Sequence, residues 1–139
     1  MTRWVLDTNI LVQARRSRDG ASNALLRALD RGAFTMVVSV PLFLEYEAVL
    51  TRPEQLAFSG LTIDEVGDFL DYLAGLVAPI RLHYLWRPQL IDQSDEMVLE
   101  TAINGRADAV VTFNKRHFGP ASSFRIEIID PAEAIGRLR

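Results

Sequence analysis

Five short apolar runs, separated by stretches of helical periodicity, constrain this chain more than any other feature. The runs are Trp4-Val5-Leu6, Phe34 to Val38, Pro79 to His83, Ala107 to Thr112 and Ile126 to Ile129. Between them, a helix begins near Ile10. A second runs from Ala21 to Arg31, with an apolar stripe at Ala24, Leu25, Ala28 and Leu29 and Gly32 in the place of a left-handed cap. Pro41 sits at a helix start, where its missing N–H costs nothing, and leads into a helix over Leu42 to Leu50. Thr62-Ile63-Asp64-Glu65 reads as a capping box that opens a helix to about Val77. A further helix spans Asp92 to Asn104 and ends at Gly105. Arg52-Pro53 and Phe58-Ser59-Gly60 read as a break and a connection, Phe113 to Pro120 as a polar loop, and Asp130-Pro131 as a stop. Strands separated by helices predict an α/β domain with a parallel sheet and helices on both of its faces.

The chain has 139 residues, 49% of them hydrophobic and 24% charged, which fits one globular domain over residues 1–139 with a sizeable core. No apolar stretch approaches the roughly 18 residues of a membrane span, and the N-terminus has no signal-peptide core, so a cytoplasmic protein without membrane contact is expected. With no cysteine and only His83 and His117, thiolate chemistry is excluded and a metal ion would be held mainly by oxygen. A formal charge of -3 argues against coating nucleic acid by bulk electrostatics. The charge is uneven, however. Fourteen of the fifteen basic residues are Arg, with Arg15, Arg16 and Arg18 crowded together, a pattern that suits bidentate phosphate contact and equally suits genomic base composition.

In an open parallel sheet, ligands bind at the carboxyl ends of the strands. The first strand ends in Asp7-Thr8-Asn9, the second leads through Ser39 to a helix carrying Glu45, and the fourth ends at Thr112 with Asn114 two residues on. Asp92 and Asp95 begin the helix before that fourth strand. Carboxylates gathered at one rim repel one another unless a cation neutralises them, and oxygen ligands favour Mg²⁺ or Mn²⁺. Such a site activates water for in-line displacement at phosphorus, which points to phosphodiester hydrolysis.

Four blocks carry a family resemblance. Val5 to Val12 (VLDTNILV) is similar to the opening of PIN-domain nucleases, and Leu42 to Leu50 (LFLEYEAVL) resembles their second motif. Asp92 to Ala102 (DQSDEMVLETA) and Ala107 to Lys115 (ADAVVTFNK) resemble their third and fourth. The resemblance spans nearly the whole chain. It implies a three-layer α/β/α sandwich around a parallel sheet, dependence on Mg²⁺ or Mn²⁺, and cleavage of RNA. Small members of this kind are typically toxins of toxin–antitoxin pairs (VapC-type), so it also implies an antitoxin partner and a homodimer. By position, Asp7, Glu45 and Asp95 are the catalytic, metal-holding carboxylates. Asn114 stands where many members have a fourth acid, and it keeps an acceptor oxygen while losing the charge, which leaves open one metal ion or two.

Each assignment has a plainer reading. Asp7 alone could be a turn former, and Asp92 serves as well as a helix cap as it does in catalysis. Thr8 and Asn9 are expected to cap the helix and orient the carboxylate. Glu45 and Glu47 are not separable by periodicity, because their helix is apolar almost all round; such a helix should be buried on several faces or lie in a dimer interface. His83 and His117 read as surface or packing residues. Lys115 and Arg116 are placed for phosphate contact or simply for solvation, and Phe113 for stacking on a base or for plugging the core. Two other functions compete. A degenerate PIN-like module could bind RNA or a partner without cutting. An aspartyl-nucleophile phosphatase would need a general acid where Asn9 stands.

Overall fold

The computed structural model describes residues 2–83 and 93–139. β1 (Arg3–Leu6) lies at the centre of a five-stranded sheet with β2 (Thr35–Ser39), β3 (Ala78–Ile80), β4 (Ala109–Val111) and β5 (Glu127–Ile129), in the order β3-β2-β1-β4-β5. Every pairing is parallel. Successive strand residues point to opposite faces, yet Trp4, Val5 and Leu6 are all buried, as are Ala109, Val110 and Val111. Both faces of the sheet are therefore covered by helices, which is the expected α/β sandwich.

The chain builds outward from β1 in one direction through β2 to β3, then returns beside β1 with β4 and continues to β5. The point where the order reverses lies between the carboxyl ends of β1 and β4, and a crevice forms there without further specialisation. Leu6 is opposite Val111, so Asp7 and Thr112 each stand one residue beyond the paired strands. This register positions the site.

α1 (Thr8–Arg16) follows β1 directly and packs on α2 (Ala21–Asp30) and α3 (Val40–Leu50). α2 ends as expected: Gly32 has a φ of 75°, and the N–H groups of Gly32 and Ala33 reach back to the carbonyls of Leu29 and Ala28, closing a Schellman motif. α5 (Ile63–Ala74) has the predicted capping box, with Thr62 and Glu65 bonded reciprocally, and stops at Gly75, a little short of Val77. β3 covers Ala78–Ile80, shorter than and shifted from the expected Pro79 to His83.

α6 (Gln93–Asn104) lies against β1, β2 and β4. The helix ends at Gly105 as expected, and the residue with positive φ is its neighbour Arg106, at 53°. Gly105 is required by close packing. A Cβ there would come 2.3 Å from Val37 Cγ1 and 2.9 Å from the Thr101 carbonyl oxygen, so only a residue without a side chain lets α6 end against the sheet.

Three expectations are corrected. Arg52-Pro53 begins a short helix, α4 (Pro53–Ser59), since proline is well suited to a first helical position. Asp130-Pro131 likewise opens α7 (Pro131–Arg137), with Asp130 and Glu133 forming a second capping box. The supposed polar loop after β4 contains a kinked 3₁₀ segment, Lys115–Phe124, anchored by buried Phe118 and Ala121. Among the described residues no helix is long and apolar enough to cross a membrane.

Candidate active site

Asp7 is 7% exposed and is held from three directions. Its backbone N–H donates to the Val111 carbonyl at 2.9 Å, extending the β1–β4 ladder by one bond. Its carboxylate accepts the Thr8 N–H at 2.8 Å and the Thr112 hydroxyl at 2.7 Å. Asp7 is thus itself the cap of α1, and Thr8 and Asn9 are the first residues inside the helix, which corrects the expectation that they do the capping. Asn9 Oδ1 is buried with no hydrogen-bond partner among the described residues, an acceptor within one turn of the Asp7 carboxylate.

Thr112 was not singled out from sequence, yet it governs how Asp7 is presented. The Asn114 N–H donates to Thr112 Oγ1 at 2.9 Å, so the single hydroxyl hydrogen is directed to Asp7 Oδ2. Asn114 therefore reaches the cluster through its backbone; its exposed side chain makes no hydrogen bond among the described residues. Tyr46 is a second unanticipated contributor. Fully buried on α3, it donates its hydroxyl to the carbonyl of Leu6, fixing the end of β1. Burial and the nearby Asp7 charge push its phenol well above the usual range, so it stays a donor. Its place in the series Leu42, Tyr46, Leu50 was the available signal, since that spacing marks one helix face.

α6 brings Asp95 into the same crevice, 8% exposed, with His117 Nδ1 at 3.1 Å from Asp95 Oδ2. His117, read from sequence as a surface or packing residue, is thus part of the site. It is 22 residues from Asp95 in the chain, and only the fold of the 3₁₀ segment joins them. Glu96 and Glu100, also on α6, are buried too, at 4% and 1% exposed, which their spacing alone did not reveal. Glu45 accepts the Ser94 hydroxyl at 3.3 Å, beside Asp95, while Glu47 is exposed. The structure thereby separates two acids that periodicity left equivalent. Asp92 lies outside the described residues.

Electrostatics distinguish this crevice. The Asp7 carboxyl is raised from 3.8 to about 6, above all by burial, with added repulsion from Asp95 that the Thr112 and Thr8 bonds and His117 only partly offset. A divalent cation would reverse that balance, and the all-oxygen donors Asp7 and Asp95 suit a hard ion. Among the described residues no three acidic or histidine side chains group closely enough to enclose a metal by themselves. Asp7 and Asp95 interact directly in the crevice, and Glu45 stands beside them through its bond from Ser94. Two carboxylates nevertheless fit an ion of the Mg²⁺ type, which keeps several waters and completes its shell with substrate oxygens.

The basic residues divide. Arg15 and Arg16 lie at the far end of α1, about 12 Å along the helix from Asp7. Their guanidinium groups stack on Phe69 and Phe58, at 4.6 and 4.2 Å from the ring centroids. They sit away from the carboxylates. Lys115, exposed, pairs with Glu133 at 2.7 Å; Arg116, exposed as well and next to His117 in the chain, has no ion-pair partner among the described residues.

Residues 3–116 match a family model described as PIN domain. The chain belongs to the PIN domain family. PIN domains are generally nucleases, and they typically use divalent metal ions. Among solved structures, this PIN domain resembles a chain of the VapBC2 complex from Rickettsia felis, described as bound to a DNA fragment from its promoter. That match has 16% identity and a TM-score of 0.65, and covers 93% of this chain and 98% of the other. At this identity the likeness establishes the fold. No curated protein sequence matches.

Proposed function

We propose that this PIN domain is a metal-dependent endoribonuclease acting as the toxin of a toxin–antitoxin pair in the cytoplasm. The observation that carries the reading is the coupling of Asp7 and Asp95 at the switch point of the sheet, where the Asp7 carboxyl rests at about 6 in the absence of a cation. The likeness to a VapBC2 chain supports an antitoxin partner, because the structure it comes from joins the two proteins.

Asp7 and Asp95 would hold Mg²⁺ or Mn²⁺. When bound, the ion lowers the pKa of a coordinated water and neutralises charge developing on the cleaved phosphate. The protein's contribution is orientation. Thr8 and Thr112 fix the two oxygens of Asp7, and His117 restrains Asp95. Glu45 is the half-buried acid of the set, restrained by Ser94 beside Asp95, and would serve as the third metal carboxylate or accept the proton that the attacking water loses. Asn9 Oδ1 offers an acceptor to a water entering the crevice. Hydrolysis forms the bond from the water oxygen to phosphorus and breaks the bond from phosphorus to the leaving sugar oxygen, which takes up a proton from solvent.

The homodimer is assigned to α3. Its outward residues Val40 and Leu44 are 70% and 57% exposed and adjoin Phe43, Val77 and Pro79, which agrees with an all-round apolar helix seeking an interface.

The test is cleavage of RNA by purified protein, freed of antitoxin, with Mn²⁺, with EDTA, and in Asp7→Asn and Asp95→Asn variants. Activity that survives EDTA or both substitutions rejects the mechanism. A second reading draws on Asn114, which lacks the charge of a fourth acid: a PIN fold that holds RNA without cutting it. RNA binding with no cleavage at any Mn²⁺ concentration would favour it.

A further inference from the structure

We infer that the turn Phe113–His117 is the platform on which an unpaired stretch of the RNA is held, with a base stacked on Phe113 and an adjacent phosphate on Arg116. This rests on the ribonuclease reading and specifies the substrate class of the same site.

Phe113 is 50% exposed, whereas Phe34 and Phe118 are 2% and 1% exposed. It directly follows Thr112, whose hydroxyl holds Asp7. An aromatic ring half in water beside a nuclease crevice has an open face of the kind on which unpaired bases stack. Residues 113–117 line an open cleft of about 440 Å³, room enough for a nucleotide.

The turn is stiff. At one end the Asn114 N–H bonds Thr112 Oγ1 at 2.9 Å, and the His117 N–H bonds the Asn114 carbonyl at 3.0 Å. At the other, His117 is bonded to Asp95 and Phe118 is buried beneath. A platform fixed in this way binds without a large ordering cost.

Charge sorting completes the case. Both Lys115 and Arg116 are exposed; Lys115 is engaged by Glu133, whereas Arg116 has no ion-pair partner among the described residues. In a protein of net charge -3, RNA cannot be gathered by the overall field, so local contacts of this kind must hold it. Stacking on Phe113 needs a free base, so the substrate is single-stranded at the site of cleavage, and the contact tolerates any base.

The experiment measures binding of a fluorescein-labelled single-stranded oligoribonucleotide and of a blunt RNA duplex by anisotropy, using Asp7→Asn protein to prevent cleavage, across a salt series. Phe113→Ala and Phe113→Leu should each weaken single-strand binding by roughly 5- to 100-fold, and Phe113→Trp should retain it. Arg116→Ala should lower the slope of log affinity against log salt by about 0.7, while Lys115→Ala leaves that slope unchanged. Duplex binding should be weak and insensitive to Phe113. Phe113→Leu keeps apolar bulk, so a folding defect in Phe113→Ala would not obscure the result. Unchanged single-strand affinity in Phe113→Leu and Arg116→Ala overturns the platform, even where the unmutated chain cuts RNA. A shift in oligomeric state in place of RNA affinity overturns it too, and assigns Phe113 to a protein contact. If the unmutated chain neither binds nor cuts RNA, the ribonuclease reading falls and the platform with it.

Discussion

Replacing Asp7 by Asn should abolish cleavage and yet make the metal-free protein more stable at alkaline pH. The Asp7 carboxyl is raised from 3.8 to about 6, chiefly by burial, with repulsion from Asp95 added. A carboxyl whose folded value is raised contributes its full stability below about 3.8 and loses it as pH climbs through about 6. A shift of about two units corresponds to about 3 kcal/mol; the whole penalty is present at pH 8 and about half of it at pH 5. Asn resembles the protonated acid in shape and carries no such penalty. For 139 residues, an unfolding entropy of about 0.3 kcal/mol/K converts 3 kcal/mol into about 10 °C. In EDTA at pH 8, Asp7→Asn should therefore melt above the unmutated protein by up to about 10 °C, and the margin should shrink by about 5 °C at pH 5. Thermal and urea unfolding of both proteins at the two pH values measures this, and groups that titrate identically in both cancel. Mg²⁺ should raise the melting temperature of the unmutated chain at pH 8 and leave the variant nearly unmoved. A margin that is equal at pH 5 and pH 8 would refute the claim that Asp7 carries a burial penalty awaiting a cation.

Three further outcomes follow from the same geometry. Glu45→Gln should lower kcat for RNA cleavage by at least about tenfold while Glu47→Gln leaves it near the unmutated value, because only Glu45 is held beside Asp95 by Ser94; equal effects in steady-state assays would remove the distinction. Thr112→Val keeps the shape but frees Asp7 Oδ2 from its hydroxyl donor, and metal affinity or activity should fall roughly 10- to 100-fold, read by metal titration alongside kinetics. Gly105→Ala should destabilise the fold by about 1–3 kcal/mol in urea unfolding, because its Cβ would press on Val37 and the Thr101 carbonyl; a neutral result would mean that α6 approaches the sheet less closely.

The sequence by itself determined the α/β class, the parallel sheet and the rim at which Asp7 stands. These follow from local patterns: strand-length runs buried on both sides, helices between them, and Asp7 at the end of the first strand. Even the elements that were missed, α4 and α7, carry local marks in Pro53 and in the Asp130–Glu133 box, read as breaks when they were helix starts. What only the tertiary structure decided is which side chains meet. Tyr46 reaches the Leu6 carbonyl, Thr112 the Asp7 carboxylate, His117 the Asp95 carboxylate, and Ser94 chooses Glu45 over Glu47. Gly105 is glycine because Val37 lies against it, and its left-handed neighbour is Arg106. These are contacts between segments far apart in the chain, and no periodicity encodes them, because a hydrogen bond or a steric clash depends on the register of strands and the seating of helices that packing alone settles.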